Sequence, residues 1–103
     1  MKRGEIRWYR FMSPDKRRPV LILTRDSILN YLGEVTIAPI TTTVRDIPSE
    51  VPLSQDDGLT RSCAVNLDHI QTVPKAKLES VVTTLSRDKL EEVGKAVSFA
   101  LNL

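Results

Sequence analysis

The sequence predicts a mainly β protein, a small antiparallel barrel or strongly bent sheet that ends in one α-helix. Short β-branched and apolar runs, separated by turns rich in Pro, Gly, Asp and Ser, fill most of the chain. The hydrophobic period changes to helical spacing only after Ser86. With 103 residues the chain can bury one modest core, so we expect a single domain over residues 1–103. It carries no Gly-rich strand-to-helix turn, which excludes a dinucleotide-binding βαβ unit.

The first predicted strand covers Gly4–Phe11. Its residues alternate imperfectly between apolar and polar types, which is typical of a half-buried strand. Ile6 and Trp8 share the face that we expect to meet the core, and Glu5 and Tyr9 share the opposite face. Core packing is therefore the expected duty of Trp8.

The second predicted strand, Pro19–Thr24, is the most strongly apolar stretch of the chain. A turn over Met12–Lys16 precedes it, and five consecutive apolar residues begin at its first residue. Proline can open a strand because its missing N–H costs no ladder hydrogen bond there. Arg17 and Arg18 stand immediately before this strand, so their backbone is fixed by the core while their charges reach solvent.

The middle of the chain alternates short strands and turns. Asp26–Gly33 is predicted to be a polar connection with a helical turn, in which Gly33 supplies a positive φ. The strand Glu34–Ile40 then ends at three consecutive threonines. Asp68–His69 marks either the gap between two strands or a kink within one. Further strands are predicted at Val51–Leu53, Ser62–Leu67, Ile70–Val73 and Val81–Val82, with turns at Ser54–Gly58 and Pro74–Lys77.

The C-terminal segment predicts an amphipathic helix. Leu90, Val93, Val97 and Leu101 recur at helical spacing, and Ser86 is suited to be the N-cap. A glycine inside this helix lowers its stability by about 1 kcal/mol relative to alanine.

Charge and cysteine content bound the class of protein. The net charge is +2, too small to indicate a nucleic-acid binder by itself, although the basic excess is concentrated between Lys2 and Arg18. A solvated edge would have the same composition. The single Cys63 excludes an internal disulfide and lies in an apolar run typical of a core. There is neither a signal-type apolar region nor a membrane-length apolar segment, so we expect a cytoplasmic protein.

The candidates for chemistry are few. One histidine, one cysteine and scattered acids give no pair at metal-ligand spacing, so we expect no metal and no cofactor. Cys63 and His69 are separated by an even number of residues, which would place both on one face of a strand as a nucleophile and a base. The apolar surroundings of Cys63 favour a core position instead.

Two fixed hydrogen-bond donors remain, Arg18 at the start of one strand and Thr41 at the end of another. Such donors suit a phosphate, because a guanidinium binds two oxygens at once and a hydroxyl adds a third contact. An exposed surface charge and ordinary β-propensity of threonine would give the same residues. The residues alone leave both interpretations open.

Four stretches carry a resemblance to a known family. They are the opening Arg3–Ile6 with the aromatic Trp8, the run Arg18–Leu23, the segment Ala38–Thr43, and Asp68–Thr72. In this order and spacing they resemble the PemK/MazF group of toxin endoribonucleases, and the similarity extends over nearly the whole chain.

The resemblance implies an SH3-like barrel, a homodimer, and neutralisation by a cognate antitoxin protein. It also implies metal-independent, sequence-selective cleavage of single-stranded RNA, with mRNA, tRNA or rRNA as the target. In that family the arginine that opens the second strand and the threonine that ends the next long strand form the catalytic pair. These residues are Arg18 and Thr41 here, and the expected products end in a 2′,3′-cyclic phosphate and a 5′-hydroxyl.

Further RNA contacts are expected around this pair. Arg17 is predicted to contact a backbone phosphate or the antitoxin, Trp8 offers a surface for base stacking, and His69 has the intrinsic pKa of a general base. The predicted RNA-binding residues are Lys16, Arg17, Thr42, Thr43, Arg45, Trp8 and His69.

The chain departs from the family pattern in two places, and two other functions stay open. Its first loop is short and lacks the Gly-Ser-Glu element of many relatives, and His69 stands where glutamine is more usual. A barrel of this shape could instead bind a protein target such as gyrase and cut nothing. It could also be a silent RNA-binding relative.

Overall fold

The computed structural model describes residues 1–12 and 16–103. Within these ranges seven strands and two α-helices form, together with single 3₁₀ turns at Gln55–Asp57, Leu67–His69 and Lys75–Lys77. The strands are β1 (Glu5–Arg10), β2 (Arg17–Ile22), β3 (Glu34–Thr41), β4 (Glu50–Leu53), β5 (Cys63–Asn66), β6 (Gln71–Pro74) and β7 (Val81–Thr84); the helices are α1 (Asp26–Leu29) and α2 (Arg87–Leu101).

The sheet is antiparallel in every pairing of the described strands and curls into a half-barrel. Its neighbours run β4-β5-β3-β2-β1-β7, and β6 pairs with β3. Across the open side, Thr83 Oγ1 of β7 donates a hydrogen bond to the Asp57 carbonyl oxygen, at 3.2 Å. The predicted mainly β architecture with a C-terminal helix is therefore confirmed.

The strand β2 is buried on both faces, which explains its unbroken apolar run. Leu21 belongs to a core cluster that also contains residues of β4, β5 and α2. Val20 and Ile22 point the other way, into a second cluster with Tyr9 and Leu29. Side chains alternate between the faces of a strand, so a strand with a core on each side needs apolar residues at every position.

Two of the strand prolines, Pro19 and Pro39, lie where the sheet needs no donor. Trp8, which is opposite Pro19 in the β1–β2 register, directs its N–H and C=O to Ser80 and Glu79 on its other side. The missing N–H of Pro19 therefore faces away from β1, and the β2–β3 pairing begins only one residue later. Pro39 lies where the neighbour of β3 changes from β6 to β5. A missing N–H costs little at such a break in the pairing.

Several predicted element boundaries shift by one or two residues. The second strand runs over Arg17–Ile22 rather than Pro19–Thr24, because pairing with β1 extends it toward the chain start. The strand Glu34–Ile40 gains Thr41 through its pairing with β5. The segment around Asp68–His69 separates two strands. The predicted turn Met12–Lys16 falls largely outside the described residues.

Two expectations about individual residues in the first half are wrong. Tyr9 is buried in the second core cluster, and Glu5 is only 8% exposed, so the face predicted to be solvated is covered. Gly33 does not adopt a positive φ; Gly4 and Gly58 do, at 95° and 97°. A single alternating pattern could not show that the sheet has a second core on its other side.

The helix α2 closes one side of the half-barrel, as predicted. Ser86 caps it by accepting a hydrogen bond from the Lys89 N–H at 3.2 Å. Val93 and Ala96 are buried in the first core cluster. The prediction that Leu101 faces the core is wrong, because this residue is 55% exposed in the last turn of the helix.

Glu5 is a buried carboxylate that ties the N-terminal turn to β1. Its Oε1 accepts hydrogen bonds from the Lys2 N–H at 3.2 Å and from Arg7 Nε at 2.9 Å. Burial raises the pKa of Glu5. The hydrogen bond from Arg7, the hydrogen bond from the Lys2 N–H and the charge of Arg7 lower it, and together they hold this pKa below its usual 4.5. The ionised form is therefore favoured by folding.

Replacing Glu5 by Gln should lower the free energy of unfolding at pH 7 by about 1 kcal/mol, since the charged acceptor is lost. A lowered pKa in the folded state gives stability that is complete above 4.5 and is lost as the pH falls through the folded value. Urea unfolding of wild type, Glu5→Gln and the exposed control Glu91→Gln from pH 7 to pH 3 measures the free energy of unfolding of each protein. The difference between wild type and Glu5→Gln should shrink as the pH falls. A difference that stays constant over that range would contradict a lowered pKa of Glu5.

Replacing Gly94 by Ala should stabilise the protein by about 1 kcal/mol, because a helix interior favours alanine. A Cβ at this position meets nothing within 4 Å. Gly58→Ala is the opposite case, since it combines a φ of 97° with a clash against Thr83. Urea unfolding at one fixed protein concentration should order the variants as Gly94→Ala, wild type, Gly58→Ala; any other order contradicts this reading.

Candidate active site

The pairing of β2 with β3 brings the two predicted catalytic residues together. The register matches Val20 with Pro39 and Leu21 with Ala38. This pairing ends two residues before Arg18 and Thr41, so both lie at the same end of the two strands and, by alternation, on the same face of the sheet. Their side chains can therefore act on one small group.

Both residues border a cleft of about 480 Å³. It opens where β2 begins and β3 ends. Its walls come from β1, β2, the end of β3, the β4–β5 connection and β7. The lining residues are Trp8, Arg17, Arg18, Pro19, Ile40, Thr41, Thr42, Thr43, Leu59, Thr60, Arg61, Cys63 and Val82.

Residues from both faces of the sheet meet in this cleft because the strands end there. Alternation places Arg17 on the face of Leu21 and the first core, together with Trp8 of β1. Arg18 shares the other face with Val20 and the second core. The cleft thus has one wall carrying a stacked aromatic group and another carrying the Arg18–Thr41 pair.

Arg18 brings a guanidinium to the cleft. The residue is half-buried at the end of the strand, which restricts its backbone. Among residues 1–12 and 16–103, no acidic side chain forms an ion pair with it. A fixed cation without a protein partner suits an anionic ligand such as a phosphate.

The hydroxyl of Thr41 is oriented by its own chain. Thr41 Oγ1 accepts a hydrogen bond from the Thr43 N–H at 3.0 Å. Because this contact uses a lone pair, the hydroxyl proton stays free to donate to a ligand oxygen. The run of three threonines therefore builds a local turn that aims one donor, while Thr42 and Thr43 are exposed at the rim.

Trp8 and Arg17 form a cation–π pair on the opposite wall. The guanidinium carbon of Arg17 lies 4.4 Å from the centroid of the Trp8 ring. Arg17 Nε also donates to Glu79 Oε1 at 2.8 Å. Trp8 is half-buried and lines the cleft. The sequence-based expectation that Trp8 mainly packs in the core is therefore wrong.

Three of the predicted RNA-binding residues do not line the cleft. Lys16 is exposed beyond its edge. Arg45 is held by the buried Glu50, whose carboxylate accepts from the Arg45 N–H at 2.8 Å and from its guanidinium at 3.3 Å. His69 is exposed at the end of a 3₁₀ turn. The structure therefore gives these three side chains no contact with the Arg18–Thr41 pair.

The β4–β5 connection contributes cleft residues that sequence reasoning missed. Leu59, Thr60 and Arg61 lie in this connection, and Arg61 also borders a second, smaller cleft of about 290 Å³. The turn chemistry of the preceding Asp-Gly gave the position of the connection but not its direction. Only the pairing of β5 with β3 brings it to the cleft.

Cys63 is buried, as predicted, and is not set up as a nucleophile. Burial raises the pKa of its thiol above the usual value, and the charge of Asp57 raises it further. His69 does not line the cleft that Cys63 borders. In the described part of the chain no three His, Cys, Asp or Glu side chains gather as metal ligands. No described helix is long and apolar enough to span a membrane.

The chain is similar to one family of known proteins. A profile of the family described as PemK-like, MazF-like toxin of type II toxin-antitoxin system matches residues 2–101. Endoribonuclease MazF3 of Mycobacterium tuberculosis is 40% identical over 89 residues, or 86% of each chain. Probable endoribonuclease MazF2 of the same organism is 37% identical over 93 residues, or 89% of each chain.

Solved structures show the same fold. The Mycobacterium tuberculosis toxin MazF-mt6 superimposes with a TM-score of 0.88 at 37% identity, covering 96% of this chain and 97% of that chain. A mycobacterial endoribonuclease in complex with its cognate antitoxin gives a TM-score of 0.90 at 26% identity, covering 100% and 96%. The chain therefore belongs to the PemK-like and MazF-like toxins of type II toxin-antitoxin systems, a family in which these relatives are endoribonucleases.

Proposed function

We propose that Arg18 and Thr41 are the catalytic pair with which this endoribonuclease toxin cuts single-stranded RNA without a metal ion. The observation that carries the proposal is that the β2–β3 pairing brings a guanidinium with no acidic partner among the described residues and an oriented hydroxyl to the same cleft. The family relationship supports the same two positions. Both groups donate hydrogen bonds, and neither accepts a proton near neutral pH, so they suit charge stabilisation.

The proposed reaction uses the substrate's own nucleophile. The ribose 2′-oxygen attacks the adjacent phosphorus, the bond from phosphorus to the 5′-oxygen breaks, and the 2′-hydroxyl proton is lost. The departing 5′-oxygen gains a proton. The products are one strand ending in a 2′,3′-cyclic phosphate and one beginning with a 5′-hydroxyl, so atoms and charge balance without a cofactor.

Arg18 stabilises the negative charge that develops on the non-bridging oxygens as the phosphorus gains a fifth oxygen. A guanidinium stays cationic at neutral pH, so Arg18 acts mainly by charge and hydrogen bonding, and donates a proton only with difficulty. Thr41 donates its hydroxyl proton to a phosphate oxygen and fixes the orientation of the group. None of the described cleft residues is an acid or a histidine, so rate acceleration rests here on charge stabilisation.

The partners follow from the same proposal. Single-stranded RNA is the substrate, and a cognate antitoxin protein binds the toxin, as one does in the mycobacterial relative solved as a complex. The toxin domain covers residues 1–103 and acts in the cytoplasm, where its RNA substrate is found. Thr42 and Thr43 at the rim of the cleft, and Arg61 beside it, are suited to contact the flanking nucleotides.

Arg18→Ala should reduce the cleavage rate by about 10²- to 10³-fold, because a transition-state donor is removed. The assay incubates the purified protein with a mixed single-stranded RNA pool in EDTA and sequences the cut ends. Arg87→Ala, an exposed arginine at the start of α2, is the matched control and should cleave like wild type.

The outcome separates the three functions. Cleavage in EDTA that depends on Arg18 supports the proposal. A protein that binds RNA without cutting it would be the silent relative, and one that ignores RNA would suit the protein-binding alternative. Equal cleavage by wild type and Arg18→Ala would show that the catalytic assignment is wrong.

The toxin should also be a homodimer. Exposed apolar side chains cluster on and just after α1, where Ile28, Tyr31 and Leu32 are 47%, 86% and 42% exposed, and Phe99 is 60% exposed on α2. Patches of this kind mark interaction surfaces. Light scattering at micromolar concentration should give twice the 11.6 kDa chain mass. A mass of one chain under those conditions would contradict the dimer.

A further inference from the structure

We propose that Glu79 is a positioning residue that holds Arg17 flat against Trp8, so that the guanidinium forms the floor on which a nucleobase of the RNA stacks. This inference rests on the proposed RNA-cleaving function and adds a base-binding site to it. The site lies across the cleft from the Arg18–Thr41 pair. It would seat a base flanking the scissile phosphate.

Glu79 is fixed by its backbone as well as by its side chain. Its N–H donates to the Trp8 carbonyl oxygen at 2.9 Å, and its own carbonyl oxygen accepts from Arg7 at 3.0 Å. Arg7 is in turn held by the buried carboxylate of Glu5 at 2.9 Å. The carboxylate of Glu79 therefore projects from a backbone position that two contacts with β1 fix.

The contacts of Arg17 with Glu79 and Trp8 hold its guanidinium in place. In the β1–β2 register Arg17 lies diagonally from Trp8 on the same face, which is within reach of a long side chain. The Nε of Arg17 is bound by Glu79 at 2.8 Å, and its carbon lies 4.4 Å from the Trp8 ring centroid. One contact fixes the edge of the guanidinium and the other covers one of its faces.

The uncovered face of this guanidinium is what the cleft offers to RNA. Guanidinium planes and aromatic rings are both surfaces on which bases stack, and stacking tolerates any base. The side chains of Arg17 and Glu79 are 39% and 41% exposed, so the stack is accessible from solvent. An exposed ion pair alone would contribute little to stability, which makes positioning the better account of this contact.

The charge of Glu79 gives the inference a sharp test. RNA binding depends on neutralising phosphates, so removing an acid at the rim of the cleft should strengthen binding if only net charge matters. Loss of the fixed Arg17 position should weaken RNA binding. The two effects change the Kd for RNA in opposite directions, so the direction of the measured change shows which effect is larger.

The first experiment uses the free protein. Trp8 is the only tryptophan in the sequence, so its fluorescence reports the stack directly. In Glu79→Gln, acrylamide should quench Trp8 more strongly than in wild type, because Arg17 no longer stays over the ring. Glu92→Gln, which removes an ion pair with Lys89 on α2, is the matched control and should leave quenching unchanged.

The second experiment uses RNA. The probe is a fluorescein-labelled 2′-O-methyl oligonucleotide containing the mapped cleavage site, which cannot react at the 2′-oxygen. Glu79→Gln should raise its Kd and the KM for RNA about three- to tenfold, with kcat within about twofold of wild type. In an Arg17→Lys background, where the flat guanidinium is absent, the same change should alter Kd by less than about twofold.

Either of two results would overturn the inference. One is binding by Glu79→Gln that is unchanged or tighter than wild type, and the other is unaltered Trp8 quenching. Both leave the proposed function standing if the wild-type protein still cuts RNA in an Arg18-dependent way. Failure of the wild-type protein to cut RNA tests the proposed function separately, while the quenching result still reports whether Glu79 holds Arg17.

Discussion

The antiparallel register between β2 and β3 is the constraint on which the site depends. It is fixed by the pairs Val20 with Pro39 and Leu21 with Ala38, whose side chains are buried or half-buried on the two faces of the sheet. A slip of one residue would send the β2 side chains of each core cluster into the other cluster, so both clusters specify the register. The same pairing brings Arg18 and Thr41 to one end of the two strands and to one face of the sheet.

The two walls of the cleft are built in different ways. The Arg18–Thr41 wall is held by the sheet itself, and its cation has no acidic partner among the described residues. The Trp8–Arg17 wall is held by side chains, through Glu79. The difference in pairing between these adjacent arginines agrees with the two proposed roles, phosphate binding for Arg18 and base stacking for Arg17.

Sequence patterns predicted what depends on local order. The apolar run of β2 indicated a buried strand, and Ser86 with its helical spacing indicated α2, because both signals lie within one element. Arg18 and Thr41 could be singled out as candidates from the sequence because each stands at the end of a strong strand signal. Glu79 and Arg61 could not be singled out in this way. Their approach to the cleft depends on the pairings of β7 with β1 and of β5 with β3, which a sequence pattern does not contain. Tyr9 was misjudged because alternation assumes that one face of a strand is solvated.

The claim most open to direct measurement is that Arg18 and Thr41 act together on one phosphate. Single-turnover cleavage of RNA by Arg18→Ala, Thr41→Ala and the double variant forms a double-mutant cycle. If the two side chains stabilise the same transition state, the double variant should be little slower than the slower single variant, because residues acting as a unit are non-additive. Full additivity of the two losses, in variants that unfold at the same urea concentration as wild type, would contradict the account.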